Sequence, residues 1–233
     1  MGCNPGSALS PQGALRDRKT EALARIIRTK RGSEIRRVLV VGCGSGLEAA
    51  VLGRELNASV VGIDILTDFD PVAASFADLR KGDATALEFA AGEFDLVFSF
   101  HAIEHIPDYH TALSEMRRVL EADGCYCIGT PNRQRLVGYL GSKTATTVEK
   151  IRWNAKDWRD RLAGRFTNEA GAHAGFVAED LQAELLQHFA SAENIGPLYY
   201  AETYPGQARY VDLLRASGLG RFAFPAVYFF GRP

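Results

Sequence analysis

Three residues in His101-Ala-Ile-Glu104-His105-Ile-Pro107-Asp108 are spaced for proton or metal chemistry. Were that stretch helical, His101, Glu104 and His105 at i, i+3 and i+4 would set two imidazoles and a carboxylate on one face. Three uses of such a face are open. His105 could take a proton from an acceptor hydroxyl, oriented by Glu104, because imidazole titrates near neutrality. The three, with His173 as a further candidate, could hold a divalent metal. Or the segment is a hydrogen-bonded turn with no chemistry of its own. A second constellation lies upstream, where Gly42-Cys43-Gly44-Ser45-Gly46 is followed after eighteen residues by Asp64. Glycines admit positive φ and close approach of backbone to ligand, and an acid at that distance can accept hydrogen bonds from both hydroxyls of a ribose.

Both constellations depend on the elements that carry them. Val38 to Val41 is a short unalternating apolar run, the pattern of a strand buried on both faces in a parallel sheet. Leu47, Ala50, Val51 and Leu56 then space a helix, and Ser59 to Asp64 forms a second strand. A third strand is predicted before Lys81-Gly-Asp83, a fourth over Glu93–Phe100, and a fifth over Asp123–Asn132. Between the last two, Leu113, Met116, Val119 and Leu120 mark a helix, with Asp108 as its N-cap and Arg117 and Arg118 near its end. Strands alternating with helices require a parallel sheet, and ligands of such sheets bind at the carboxyl edge of the strands. His101, Glu104 and His105 follow the fourth strand at that edge.

The glycine spacing separates candidate cofactors. A dinucleotide turn reads G-x-G-x-x-G/A, whereas this chain has G-x-G-x-G and places Leu47 where the third small residue is needed. S-adenosylmethionine (SAM) has no phosphates to cradle and suits the turn better. In order and spacing, the segments over residues 36–132 resemble the class I SAM-dependent methyltransferases, with a weaker echo from Val177 to Phe189. The resemblance implies an α/β, Rossmann-like fold: a seven-stranded, mostly parallel sheet with an antiparallel last strand, helices on both faces and lid insertions. It implies that Gly42, Gly44 and Gly46, with Cys43, line the methionine end of SAM. It further implies that Asp64, with Ile65, binds the ribose, that Asp83 and Ala84 meet the adenine, and that Phe100 and His101 close over the cofactor. Glu104-His105 and Thr130-Pro-Asn132 are also similar to the metal-using ubiquinone-pathway O-methyltransferases and to small-RNA 3′-terminal 2′-O-methyltransferases. Those families place Glu where this chain has His101, so no metal is assigned, and His105, Glu104 and His101 are taken as the catalytic group.

The remaining sequence bounds the partners. With 233 residues and a net charge of −1, the chain suits one α/β domain and has no global field for nucleic acid or anionic membrane. Residues 1–35 read as an arm followed by a cover helix from Ala14 to Lys30, and residues 36–233 as the SAM-binding domain, with a lid inserted at about 133–172. Residues 133–165 hold nine Lys or Arg against three acids, with Trp153 and Trp158 among them. A sixth strand is predicted within 192–201, an irregular stretch over 202–220, taken together with Tyr199, Tyr200, Tyr204 and Tyr210 as one tyrosine-dense region, and a last strand over 222–230. Four cysteines without a C-x-x-C pair suit a reduced, cytoplasmic setting, with Cys125 and Cys127 packing as small apolar groups. No stretch reads as a transmembrane helix, and weak membrane-surface contact by the aromatic C-terminal segment is the minor reading of it. The expected activity is methyl transfer to oxygen of a small, lipid-linked or sugar-containing acceptor. RNA 2′-O-methylation is the alternative within the fold; a NAD(P)-dependent oxidoreductase and a non-catalytic SAM-binding protein are the alternatives outside it.

Overall fold

The computed structural model describes residues 15–139, 145–168 and 174–233; the expectations for Met1–Ala14, for Cys3 and for His173 lie outside them. Helix α1 (Arg18–Arg31) starts where the Asp17 carboxylate accepts the Thr20 N–H and stops at Gly32, whose φ of 72° ends the helical path. Then come β1 (Arg37–Val41), α2 (Leu47–Leu56), β2 (Ser59–Asp64), α3 (Pro71–Ala74), β3 (Asp78–Lys81) and β4 (Phe94–Phe100). A 3₁₀ turn (Ile103–His105) leads to α4 (Tyr109–Val119), capped by Asp108, and β5 (Leu120–Pro131).

The sheet has the order β3-β2-β1-β4-β5-β7-β6, with β7 (Ala226–Gly231) antiparallel to both β5 and β6 (Glu193–Asn194). This is the expected Rossmann-like architecture. Pleating divides the core in two. Val38, Val40, Leu96, Phe98, Cys125 and Cys127 face α1 through Leu23 and Ile27, and α2 through Leu52. Leu39, Val41, Val97, Tyr126 and Ile128 face α4 through Leu113 and Met116, and α6 (Ala178–His188) through Leu181 and Leu185.

The second half departs from expectation in three places. The sixth strand shrinks to two residues because Gly196-Pro197 opens α7 (Gly196–Thr203), with proline in its first turn. Tyr199 and Tyr200 are thereby buried against Tyr228 of β7, their ring centroids 4.0 and 6.2 Å from its ring. The stretch expected to be irregular is largely helical, with α8 (Ala208–Ala216) and α9 (Gly220–Ala223). Phe222 and Ala223 close α9, so the last strand begins at Ala226. The described part of the basic segment includes helix α5 (Thr147–Leu162), opened by a capping box in which Thr146 and Glu149 satisfy each other's backbone N–H.

One buried ion pair joins α1 to three strands. Asp95 Oδ2 accepts the Arg36 and Arg37 N–H at 2.9 and 2.8 Å, and Oδ1 accepts Arg31 Nη2 at 3.2 Å. Arg31 Nη1 also donates to the carbonyls of Asp95 and Asp123. Removing one partner leaves the other charge buried and unpaired, which costs about 3–5 kcal/mol. Asp95→Ala is therefore expected to lose about that much stability, measured by urea unfolding; a loss under about 1 kcal/mol would show that the pair is not structural.

Candidate active site

The cofactor cradle is made by the turn between β1 and α2. Gly42 has a φ of 72°, and the N–H groups of Gly42 and Cys43 donate to the Ile63 carbonyl at 2.9 and 3.0 Å, pinning the turn to β2. A Cβ on Gly42 would run into the side chain of Ala102, so this turn lies directly against the one that follows β4. Gly46, with φ of 88°, caps α2 and faces Leu79 of β3. It was expected to line the cofactor site; its task is to let α2 start close against β3. Asp64 braces the turn from the other side, Oδ2 accepting the Gly44 N–H at 2.8 Å and Oδ1 the Leu66 N–H at 3.0 Å.

Beyond this turn opens a cavity of about 850 Å³. Of the ten residues expected at the cofactor, all but Gly46 line it. Asp83 keeps its carboxyl below the usual range by accepting the N–H and hydroxyl of Thr85. Burial and the nearby Asp64 push the Cys43 thiol up to about 12, so Cys43 is a packing group and not a nucleophile at neutral pH. Asp17 and Lys19 of the leading helix and Glu48 of α2 also line the cavity and were not foreseen. The legible signal for Glu48 was an acid in a helix's first turn beside the glycines.

Of the two geometries open to His101, Glu104 and His105, helix or turn, the chain takes the turn. His101 leaves β4 with a φ of 53°, its N–H on the Gly129 carbonyl at 2.8 Å, and the chain continues in a 3₁₀ turn instead of an α-helix. This folds Glu104 inward. Its carboxylate is buried; Oε2 accepts the Thr130 hydroxyl at 3.0 Å, while Oε1 lies 3.5 Å from His101 Nδ1 and 3.9 Å from His105 Nε2. The three residues converge on one carboxylate oxygen, with both imidazoles partly exposed above it. There is no helical face here; the turn itself forms the cluster.

A second cavity, of about 660 Å³, shares Lys19, His101 and His105 with the first. Its walls include all four tyrosines singled out in the sequence, Tyr199, Tyr200, Tyr204 and Tyr210, together with Tyr228 and Phe224, which were missed. Burial pushes Tyr199 up to about 12 and raises Tyr200 and Tyr228 further. The basic segment contributes less than its charge suggested. Among its described cations only Arg135 lines the cavity, and it is held by Asp157 at 3.0 Å. Lys156 pairs with Asp160 at 2.7 Å, and Arg161 stacks on Phe166 at 4.0 Å.

Glu48 makes the cradle pH-sensitive. Burial, and next the negative charge of Asp17, push its carboxyl up to about 8 from 4.5, with Lys19 opposing. The folded chain therefore holds this proton more tightly than the unfolded one. Stability from the group is complete below about pH 4.5 and is lost as pH rises through about 8. In the ligand-free protein, Glu48→Gln is expected to flatten the decline of unfolding free energy over that window. Urea titrations at several pH values check it, and an unchanged slope would refute it.

Residues 39–128 match a family model described as a methyltransferase domain. The chain is 29% identical over 148 residues to a ubiquinone biosynthesis O-methyltransferase of Rhizobium etli, covering 60% of this chain and 58% of that protein. It is 36% identical over 104 residues to the ubiquinone biosynthesis O-methyltransferase of Cereibacter sphaeroides, covering 42% of each. The chain thus spans about half the length of these curated relatives. Its fold overlays on a putative S-adenosyl-L-methionine-dependent methyltransferase from Methanococcus maripaludis with a TM-score of 0.57, over 100% of this chain and 97% of that one, at 16% identity. Glycine turn, strand order and matched segment agree with one another and not with the oxidoreductase alternative: residues 39–128 form a methyltransferase domain, and the chain is similar to the SAM-dependent methyltransferases.

Proposed function

We propose that the protein transfers the methyl group of SAM to a hydroxyl oxygen of a small, amphipathic acceptor, with His105 as the base. One observation carries this reading: the glycine-turn cavity and the tyrosine-walled cavity meet at His101 and His105, above the buried Glu104. The cradle fits SAM, because the side-chain-free turn, the Asp64 carboxylate and the Asp83–Ala84 edge all lie in one cavity of about 850 Å³. When bound, SAM supplies a methyl carbon already activated by its sulfonium. The chain's task is then to align the acceptor, exclude water and remove one proton.

With Nε2 turned toward Glu104 Oε1 at 3.9 Å, the proposed reaction uses His105 Nδ1 to take the acceptor's proton. The imidazolium formed lies beside a buried carboxylate that stabilises it. Aromatic walls suit a ring-bearing acceptor, and the relatives named above are O-methyltransferases of ubiquinone biosynthesis, which supports a phenolic hydroxyl, lipid-linked or free. The nucleic-acid alternative rested on a basic lid over the site; among the described cations of that segment only Arg135 reaches the cavity.

Turnover of a panel of phenols and catechols with SAM tests the proposal. His105→Ala is expected to lower kcat by about 10²–10⁴-fold while S-adenosylhomocysteine still binds by calorimetry. Unimpaired turnover would sink the assignment. Asp64→Ala should do the reverse, weakening S-adenosylhomocysteine at least about tenfold through loss of charge-assisted hydrogen bonds. Wild-type affinity in that variant would show that the ribose is held elsewhere.

A further inference from the structure

The outward face of α5 is apolar, and nothing in the methyl-transfer reading uses it. Val148, Ile151, Ala155, Trp158 and Leu162 fall at i, i+3, i+7, i+10 and i+14, a spacing that holds them within about 80° of one another around a helix. All are exposed, Val148 at 66%, Ile151 at 63%, Trp158 at 43% and Leu162 at 86%. The Trp158 indole N–H donates to the Leu136 carbonyl at 3.1 Å, and this links the stripe to Leu136 and Val137, both about half exposed. A helix that served only to cover the core would turn these residues inward.

The charges on α5 are sorted to match. Asp157 and Asp160 are on the opposite face, buried, and paired with Arg135 and Lys156. Glu149 is tied to Thr146 in the N-terminal cap. Arg152 and Arg159 lie exposed at the edge of the apolar stripe. The outer face therefore presents Val, Ile, Trp and Leu rimmed by arginine, while the acids of the helix are engaged elsewhere. That is the composition of a helix that lies in a lipid–water interface, with apolar side chains among the acyl chains and cations at the headgroups.

We infer that α5 docks the protein on an anionic lipid surface through the Val148–Ile151–Trp158–Leu162 stripe and its Arg152 and Arg159 rim. A second protein copy would bury the stripe equally well, but two such faces would bring their arginines together, so the charge favours lipid. The inner face of the same helix holds Arg135 and, through the Tyr139 hydroxyl on Asp157 at 3.0 Å, Tyr139, and both of these line the tyrosine-walled cavity. Docking would therefore set that cavity beside the bilayer. This last consequence rests on the proposed reaction, whereas the docking itself does not.

Flotation of the full chain with vesicles tests it without any acceptor. The protein should float with phosphatidylcholine–phosphatidylglycerol vesicles at low salt, far less with phosphatidylcholine alone, and Trp fluorescence should shift to the blue on binding. Ile151→Asp with Leu162→Asp should weaken flotation at least about tenfold. Arg152→Glu with Arg159→Glu should abolish its preference for the anionic vesicles. Unchanged far-ultraviolet circular dichroism and S-adenosylhomocysteine affinity would show that the variants fold. The inference is overturned if the wild-type protein stays unbound to anionic vesicles, or if the folded aspartate variant floats as well as wild type. It is also overturned if size-exclusion shows a wild-type dimer that the aspartate variant converts to monomer, since a second copy would then own the face.

Discussion

The missing side chain at Gly42 is the constraint on which the site depends. Because a Cβ there would collide with Ala102, the turn after β1 and the turn after β4 can pack in direct contact only with glycine at this position. The first turn is also bonded to β2 through the Ile63 carbonyl, and the second to β5 through the His101 N–H on Gly129 and the Thr130 hydroxyl on Glu104. Four strand ends are thereby locked around one contact. The cavity that fits the methyl donor and the histidines that face the acceptor cavity cannot drift independently, and in-line transfer tolerates little drift.

Within that lock, Glu104 carries a cost that the fold only partly offsets. A buried carboxylate with one hydroxyl donor is under-satisfied, and Oε1 has no hydrogen bond, only two imidazoles at 3.5 and 3.9 Å. A cation formed beside it would offset that deficit. In the proposed reaction this is the state reached once a histidine has taken the acceptor's proton, so the ground-state deficit becomes stabilisation in the state where it is needed.

How much of this was legible follows from how local each signal was. The β1–turn–α2–β2 unit, the Asp108 cap and the one-sided packing of Cys125 and Cys127 are set by adjacent residues, and they stand where the sequence placed them. Helix and turn both stayed open for residues 101–105 because the i, i+3, i+4 spacing is blind to the His101 N–H bond to Gly129 of β5, which goes with a left-handed His101 and a tighter turn. Residues 196–216 were read as strand and irregular chain because tyrosines have high β-propensity. Burial against Tyr228 overrides that preference, although Gly196-Pro197 was a usable helix-start signal. The +6 segment looked like an electrostatic lid because a charge count is blind to pairing. Lys156–Asp160 at i, i+4 could have been seen; Arg135–Asp157, twenty-two residues apart, could not.

The acceptor cavity also narrows which group can serve as base. It is rich in hydroxyls, and a tyrosinate would be a strong proton acceptor if one existed there. Burial excludes that: Tyr199 rises to about 12, Tyr200 and Tyr228 rise further, and the Tyr200 hydroxyl is already engaged by the backbone of Ala226 on both sides. At neutral pH these phenols can donate hydrogen bonds to an acceptor and shape its ring plane, but they cannot take its proton. Lys19 and Arg135, the other ionisable groups on the walls apart from Tyr139, Tyr204 and Tyr210, are cations. A cationic rim lowers the cost of forming an oxyanion nearby without accepting the proton itself. Proton removal in the proposed reaction is left to the two imidazoles at the junction, and of these His101 packs its ring edge-on against Phe100 at 4.2 Å. His105 is the more exposed of the pair, which is why the proposed reaction gives it the acceptor's proton.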